Sequence, residues 1–214
     1  MDFNQILNQV FNVAKDQFGK TMNGNSTADK ITKVGGGAAA IGLLSMIFGR
    51  NGGASLTKLG SLAALGSLAY QAYQQYQQKN SQNSTALDST LSEETFVDTA
   101  EKATSGQLIL QTMIAAAAAD GAITDEEKQL IITEAGNDPE VYHWLQQQIE
   151  QPISISQIAQ QVGNDTALVS QVYLAARVVC GELDRKEIVF LANLATALNL
   201  DDALVEQLEK QAGF

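Results

Sequence analysis

Residues 108–127 read LILQTMIAAAAADGAITDEE, and residues 168–187 read LVSQVYLAARVVCGELDRKE. The two stretches align at an offset of 60, with paired alanines, a glycine at 121 and 181, and a glutamate at 127 and 187. Each predicts a helix, a turn at the glycine, an apolar anchor and the capped start of a second helix. Two such helical hairpins about a pseudo-twofold axis would form one core, so the pattern predicts an all-α domain.

The helical period extends through residues 92–214 and no strand pattern competes with it. The expected fold is therefore an all-α bundle with an internal two-fold repeat, preceded by an amphipathic helix and a Gly-rich apolar hairpin. We expect helices at 93–102, 105–119, 124–136, 139–149, 154–162, 165–180, 184–198 and 201–211. Capping boxes are expected from Thr124 with Glu127 and from Asp184 with Glu187.

The first helix of the chain is predicted to be amphipathic, with Gly19 at its C-cap. Its apolar stripe consists of Phe3, Ile6, Leu7, Val10, Phe11, Ala14 and Phe18. Such a stripe buries itself either against another helix or in a membrane surface, with Lys15 and Lys20 near lipid phosphates. Both alternatives stay open at this point.

A Gly-rich apolar segment follows. Val34–Phe48 contains no charged residue, and Ala54–Tyr70 is again mostly apolar after a Gly-rich turn. A 15-residue helix spans roughly 22 Å, less than the ~30 Å hydrocarbon core. The pair therefore forms either a tight hairpin associated with a membrane, with small residues at its contact face, or a buried hairpin in a soluble oligomer.

The chain is predicted to divide at composition changes. Residues 1–33 hold the amphipathic helix and a polar linker, 34–78 the apolar hairpin, 79–91 a polar flexible linker, and 92–214 the helical domain. Tyr70, Tyr73 and Tyr76 lie near the end of the hairpin at helical spacing. They predict either an aromatic belt at a membrane interface or a packed helix face.

The net charge of −11 combines two opposite parts. Residues 1–86 contain seven basic and three acidic residues, whereas 87–214 contain six basic and 21 acidic ones. This balance argues against nucleic-acid binding, which needs a basic surface. The basic part suits an anionic lipid surface, so membrane lipid is an expected partner of residues 34–70. The acidic part suits a basic protein partner.

The turn at residues 120–127 could bind a metal, because it matches the second half of a calcium EF-hand loop. The first and third ligand positions would be Ala116 and Ala118, which excludes an ordinary calcium site. The leading interpretation is therefore a turn whose side chains cap the next helix. The alternative is weak binding of a divalent cation by Asp120, Asp125, Glu126 and Glu127.

The residues that could support catalysis are few. One cysteine excludes an intramolecular disulfide, and one histidine with one cysteine excludes a zinc site built from His/Cys clusters. His143 is expected to be structural or solvated, and Cys180 to be a small buried hydrophobe near a helix end. We therefore expect no catalytic residues, no cofactor and no enzymatic activity.

The motif Asp120-Gly121-x-Ile123-x-x-x-Glu127, with a second copy ending in 194–200, resembles the TerB-like superfamily named for tellurite resistance. The Gly-rich segment and linker resemble more narrowly the YebE-like bacterial inner-membrane proteins of the domain-of-unknown-function 533 family. The resemblance implies an all-helical domain, a link to envelope or metal stress, and cation binding by Asp120, Glu127 and Glu187. Cys180 departs from the acidic pattern in the second copy.

Together these features predict a non-enzymatic, membrane-associated adaptor or stress-linked protein. The apolar hairpin would anchor it at the bacterial inner membrane and could form a homo-oligomer, with the acidic domain in the cytoplasm. The opening residues lack the pattern of a secretory signal peptide. The rival predictions are an enzyme or a divalent-cation sensor that uses residues 120–127, and a soluble oligomer with the hairpin as its core.

Overall fold

The computed structural model describes residues 2–20, 59–80, 91–119, 139–180 and 183–214, excluding the side chains of 13–20, 80, 139 and 142. Within those ranges the chain is all-α, as predicted, with nine helices and no strand. The helices are α1 (Phe3–Lys20), α2 (Leu62–Asn80), α3 (Glu93–Glu101), α4 (Ala103–Ala119), α5 (Pro139–Glu150), α6 (Ile155–Val162), α7 (Thr166–Val179), α8 (Arg185–Ala197) and α9 (Asp202–Ala212).

The helix ends agree closely with the sequence signals. Asp184 caps α8, and its side chain accepts a hydrogen bond from the Glu187 N–H while Glu187 accepts one from the Asp184 N–H, which confirms the predicted capping box. Ser154 and Gln157 form another box at α6. The predicted helix 124–136, with Thr124 and Glu127, lies outside the described residues.

The centre of the bundle is the pair α4 and α7, which pack against each other. Almost every residue of α7 is buried, and so are Ala115 and Ala116 in α4 and their repeat partners Ala175 and Ala176. Small side chains allow the two helix backbones to approach closely. The two-hairpin repeat itself stays a prediction, because the turn and second helix of its first unit are not described.

Helix α2 packs against α3, α7 and α9. A Cβ atom at Gly66 would lie 2.9 Å from both the Phe96 carbonyl oxygen and Val97 Cα, so the glycine permits this approach. The rings of Tyr70 and Tyr73 each lie 5.6 Å from the Phe96 ring. These tyrosines therefore belong to a packed helix face, the second of the two sequence interpretations. Helix α2 ends within the predicted linker 79–91 and α3 follows it, so parts of the chain on both sides of this linker pack together.

Helix α1 buries in protein the part of its apolar stripe whose side chains the structure describes. Its buried side chains are Ile6, Leu7, Val10 and Phe11. They join the common core through contacts of α1 with α4 and α2, and the Phe3 ring lies 4.9 Å from the Trp144 ring. These described side chains therefore pack on protein, while the side chains of Ala14, Lys15, Phe18 and Lys20 lie outside the described part of the chain. The C-cap prediction at Gly19 is wrong, because the helical hydrogen-bond pattern continues to Lys20.

None of the helices in the described ranges combines the length and the hydropathy that crossing a membrane would need. The first apolar segment, Val34–Phe48, lies outside the described residues.

Candidate functional site

A groove runs between α8 and α9, both of which pack on α7. Its volume is about 340 Å³, and Tyr173 of α7 is part of its lining. The other lining residues recur at helical spacing along α8 and α9 or lie just outside them, and they are Leu183, Ile188, Leu191, Ala192, Ala195, Thr196, Leu200, Asp202, Val205 and Glu209. We call this the α8/α9 groove.

The rim of the α8/α9 groove is apolar and open to solvent. Ile188 is 51% exposed and Leu183 38% exposed, and both line the groove. Val189, at 53%, is the next residue along α8 but does not line it. Because exposed apolar side chains next to a groove are typical of binding surfaces, this face is the candidate functional site.

One end of the groove meets a polar cluster, which we call the Glu209 cluster. Glu209 Oε1 accepts hydrogen bonds from the Tyr173 hydroxyl at 3.0 Å and from Arg177 Nε at 3.2 Å. Arg177 Nη1 also donates to the Cys180 carbonyl at 3.0 Å, and its guanidinium carbon lies 3.5 Å from the Phe214 ring centre. The buried Arg177 charge is thus neutralised by an acid, a carbonyl and an aromatic face.

The Glu209 cluster suppresses ionisation of Tyr173. Burial of the phenol raises the pKa of Tyr173 well above its ordinary value, and the Glu209 charge raises that pKa further. The hydroxyl therefore stays protonated at neutral pH and donates to the carboxylate. This is the chemistry of a structural support and not of a general base, which would need a pKa near the working pH.

The opposite end of the groove is acidic. Asp201 is the N-cap of α9, and the exposed Asp202 is in its first turn. The negative C-terminal end of α8 and the positive N-terminal end of α9 meet there and offset each other, so the two carboxylates set the charge. A cation is therefore favoured at this end of the groove.

The predicted metal residues Asp120, Asp125, Glu126 and Glu127 lie outside the described residues, so the proposed cation site stays a prediction. Glu187, which the TerB-like resemblance had suggested as an acidic ligand, is 2% exposed and caps α8. Within the part of the chain that the structure describes, no group of three or more His, Cys, Asp or Glu side chains could hold a metal ion.

Two single residues have the environments that the sequence predicts. Cys180 is fully buried at the end of α7, and His143 is exposed on α5. No local sequence pattern predicts the Glu209 cluster. One signal was present: Arg177 is the only charged residue of α7 and follows Tyr173 by four positions, which places both on one face of an otherwise apolar helix.

Comparison with known proteins places the chain in a family. Neither the curated proteins nor the solved structures gave a match. A family model described as "Protein of unknown function (DUF533)" matches residues 33–212, which is most of the chain. The chain therefore belongs to the DUF533 family.

Proposed function

We propose that this protein is a non-enzymatic, membrane-associated adaptor whose acidic helical part holds a protein partner in the α8/α9 groove. The observation that carries the proposal is the open groove with the exposed Ile188 and Leu183 at its rim. Apolar side chains left in water at a groove are stabilised when a partner covers them.

The chemistry of the groove supports binding over catalysis. Its side chains are mostly aliphatic, and the carboxylate of Glu209 is occupied by Tyr173 and Arg177. An acid held in this way stabilises the fold through its two hydrogen bonds. The site thus supplies an apolar surface and fixed charges, which are what a partner needs for docking.

In this proposal, residues 34–58 are the part of the chain that contacts lipid. The other part of the apolar hairpin, from Leu59 onward, places Leu62, Leu65 and Ala69 in the protein core, so these side chains do not reach lipid in this arrangement. Val34–Phe48 has no charged residue, and residues 1–86 carry a net charge of +4, which suits an anionic lipid surface.

Flotation of the full-length chain with lipid vesicles tests the membrane part. We expect the protein to float with vesicles of phosphatidylcholine and phosphatidylglycerol, and less with phosphatidylcholine alone, because the basic N-terminal part is attracted to anionic headgroups. Substituting Leu43→Asp and Leu44→Asp together should abolish flotation, since charged residues are costly within hydrocarbon.

A matched control is Gln74→Asp with Gln75→Asp, which adds the same charge at two exposed positions of α2. This variant should float like the native chain. If the native protein remains at the bottom of the gradient with both kinds of vesicle, the membrane association is wrong and the adaptor acts in solution.

A further inference from the structure

We propose that the α8/α9 groove binds one amphipathic helix of a protein partner. That helix presents apolar side chains at i, i+3 or i+4, and i+7, followed by a basic residue at the Asp202 end. The proposal rests on the adaptor function and specifies the chemistry of its partner.

The length of the groove matches two turns of a helix. Its lining residues on α8 extend from Ile188 to Thr196, which at the helical rise per residue is about 12 Å. Side chains at i and i+7 of a partner helix are about 10.5 Å apart along its axis. Three apolar side chains on two turns therefore cover the rim from Ile188 to Leu200, as in other helix-in-groove complexes.

Charge determines the direction of the partner helix. Asp201 and Asp202 make one end of the groove acidic. At the other end, Arg185 and Lys186 lie outside the lining and offset the N-cap Asp184, and Arg177 offsets Glu209, so that end is not acidic. A basic residue after the last apolar position would pair with the Asp202 carboxylate. The reversed helix would place that basic residue at the other end, which is not acidic.

The molecule already binds one of its own helices in this way. Helix α2 lies against α7 and α9. Its Tyr73 and Leu65 side chains are buried in the common core. Helices α7 and α9 therefore accept a helix on one side, and the α8/α9 groove offers a comparable pair of helices on another. A helix also satisfies its own backbone hydrogen bonds, so it can enter an apolar groove without leaving polar groups unpaired.

Binding of a labelled synthetic peptide to the full-length chain tests the proposal by fluorescence anisotropy. The probe is a helix-forming peptide with leucines at i, i+4 and i+7 and a lysine one turn further. A second peptide has the same composition in an order that destroys the stripe. We expect saturable binding of the first peptide and about tenfold weaker binding of the second.

Two substitutions on neighbouring residues give a matched pair. Ile188 lines the groove and Val189 does not, and the two are almost equally exposed. Ile188→Asp should weaken binding of the peptide about tenfold, whereas Val189→Asp should leave it unchanged. Equal effects of the two variants, or no binding of the native chain at millimolar peptide, would overturn the proposal.

A charge exchange tests the direction. Asp202→Lys should weaken binding of the lysine peptide about fivefold and restore binding when the peptide lysine is replaced by glutamate. If the reversed pair binds no better than the mismatched one, the assigned orientation is wrong. If the native chain instead self-associates through Ile188 in sedimentation experiments, a second copy occupies the groove and the proposed partner helix is wrong.

Failure of this proposal can be distinguished from failure of the proposed function. If the protein binds the peptide but does not float with vesicles, only the proposed membrane association is wrong. If the protein floats with vesicles but does not bind the peptide, the proposed partner helix is wrong, and the adaptor binds its partner at another surface.

Discussion

Helix α9 separates two surfaces of this molecule that differ in one respect. On one side, α2 covers α9 and α7, and the Phe96 ring is enclosed by Tyr70 and Tyr73. On the other side, no helix of the described residues covers the α8/α9 groove, and Ile188 remains half exposed. Both surfaces are built from helices that pack on α7. The difference is whether one of the described helices fills the space.

The comparison shows where the stability of the fold is expected to reside. The side covered by α2 buries large aromatic and aliphatic side chains, which contribute most to the stability of the fold. The groove side contributes through the polar Glu209 cluster and the cap of α8. Substitutions on the side covered by α2 should therefore destabilise the fold strongly, whereas those at the exposed rim of the groove, such as Ile188→Asp, should affect binding with little change in stability.

The largest expected effect is that of Phe96→Ala. Phe96 is fully buried against α2, so its truncation leaves a cavity and should lower the free energy of unfolding by about 4 kcal/mol. Phe214→Ala makes the same change near the groove, where the ring is 38% exposed and stacks on Arg177, and should cost about 1 kcal/mol. Chemical denaturation measures both. Equal losses would mean that α2 does not close over Phe96 as described.

A slightly smaller effect is expected for Gly66→Val. The added side chain would meet the backbone of Phe96 and Val97, which cannot move without separating α2 from α3, and about 3 kcal/mol should be lost. Gln74→Val places the same residue at an exposed position of α2 and should cost less than about 1 kcal/mol. Thermal unfolding of the two variants compares them. A stable Gly66→Val variant would contradict the close contact of α2 with α3.

On the groove side, Tyr173→Phe should lower stability at neutral pH by about 1.5 kcal/mol, because it removes a hydrogen bond to the Glu209 carboxylate. The pKa of Tyr173 is raised in the folded protein, so its contribution is fully present below the unfolded pKa of about 10. That contribution should decrease as the pH rises above this value.

Urea denaturation across this alkaline range tests whether the contribution of Tyr173 to stability decreases as the pH rises. The native chain should lose stability faster than Tyr173→Phe as the pH rises, so that the two curves converge. If the difference in unfolding free energy between the two proteins were the same at all pH values, the pKa of Tyr173 would not be raised in the folded protein.

The smallest effect concerns the helix that forms one wall of the groove. Asp184→Ala removes the N-cap of α8 and should cost about 1 kcal/mol. Asp184→Ser keeps an oxygen acceptor for the Glu187 N–H and should retain most of the stability. Chemical denaturation distinguishes the two variants. Equal losses would show that the capping box does not stabilise α8.

The sequence predicted the helices well because their signals are local. Asp184 with Glu187, and the apolar stripe that contains Leu7 and Phe11, can be recognised from residues within a few turns of each other. The Glu209 cluster could not be predicted in this way, because Tyr173 and Glu209 are 36 positions apart and meet only through the packing of α9 on α7. The same is true of Gly66 and Phe96.

The sequence by itself determined the all-α class, the capping of α8, the burial of Cys180 and the opposite charges of the two parts. These follow from hydrophobic period, cap residues and composition, which act over short distances along the chain. Only the tertiary structure decided that α2 packs in the core and that none of the described helices fills the space between α8 and α9. Both depend on which helix faces meet, and that is set by long-range packing of side chains that are distant in sequence.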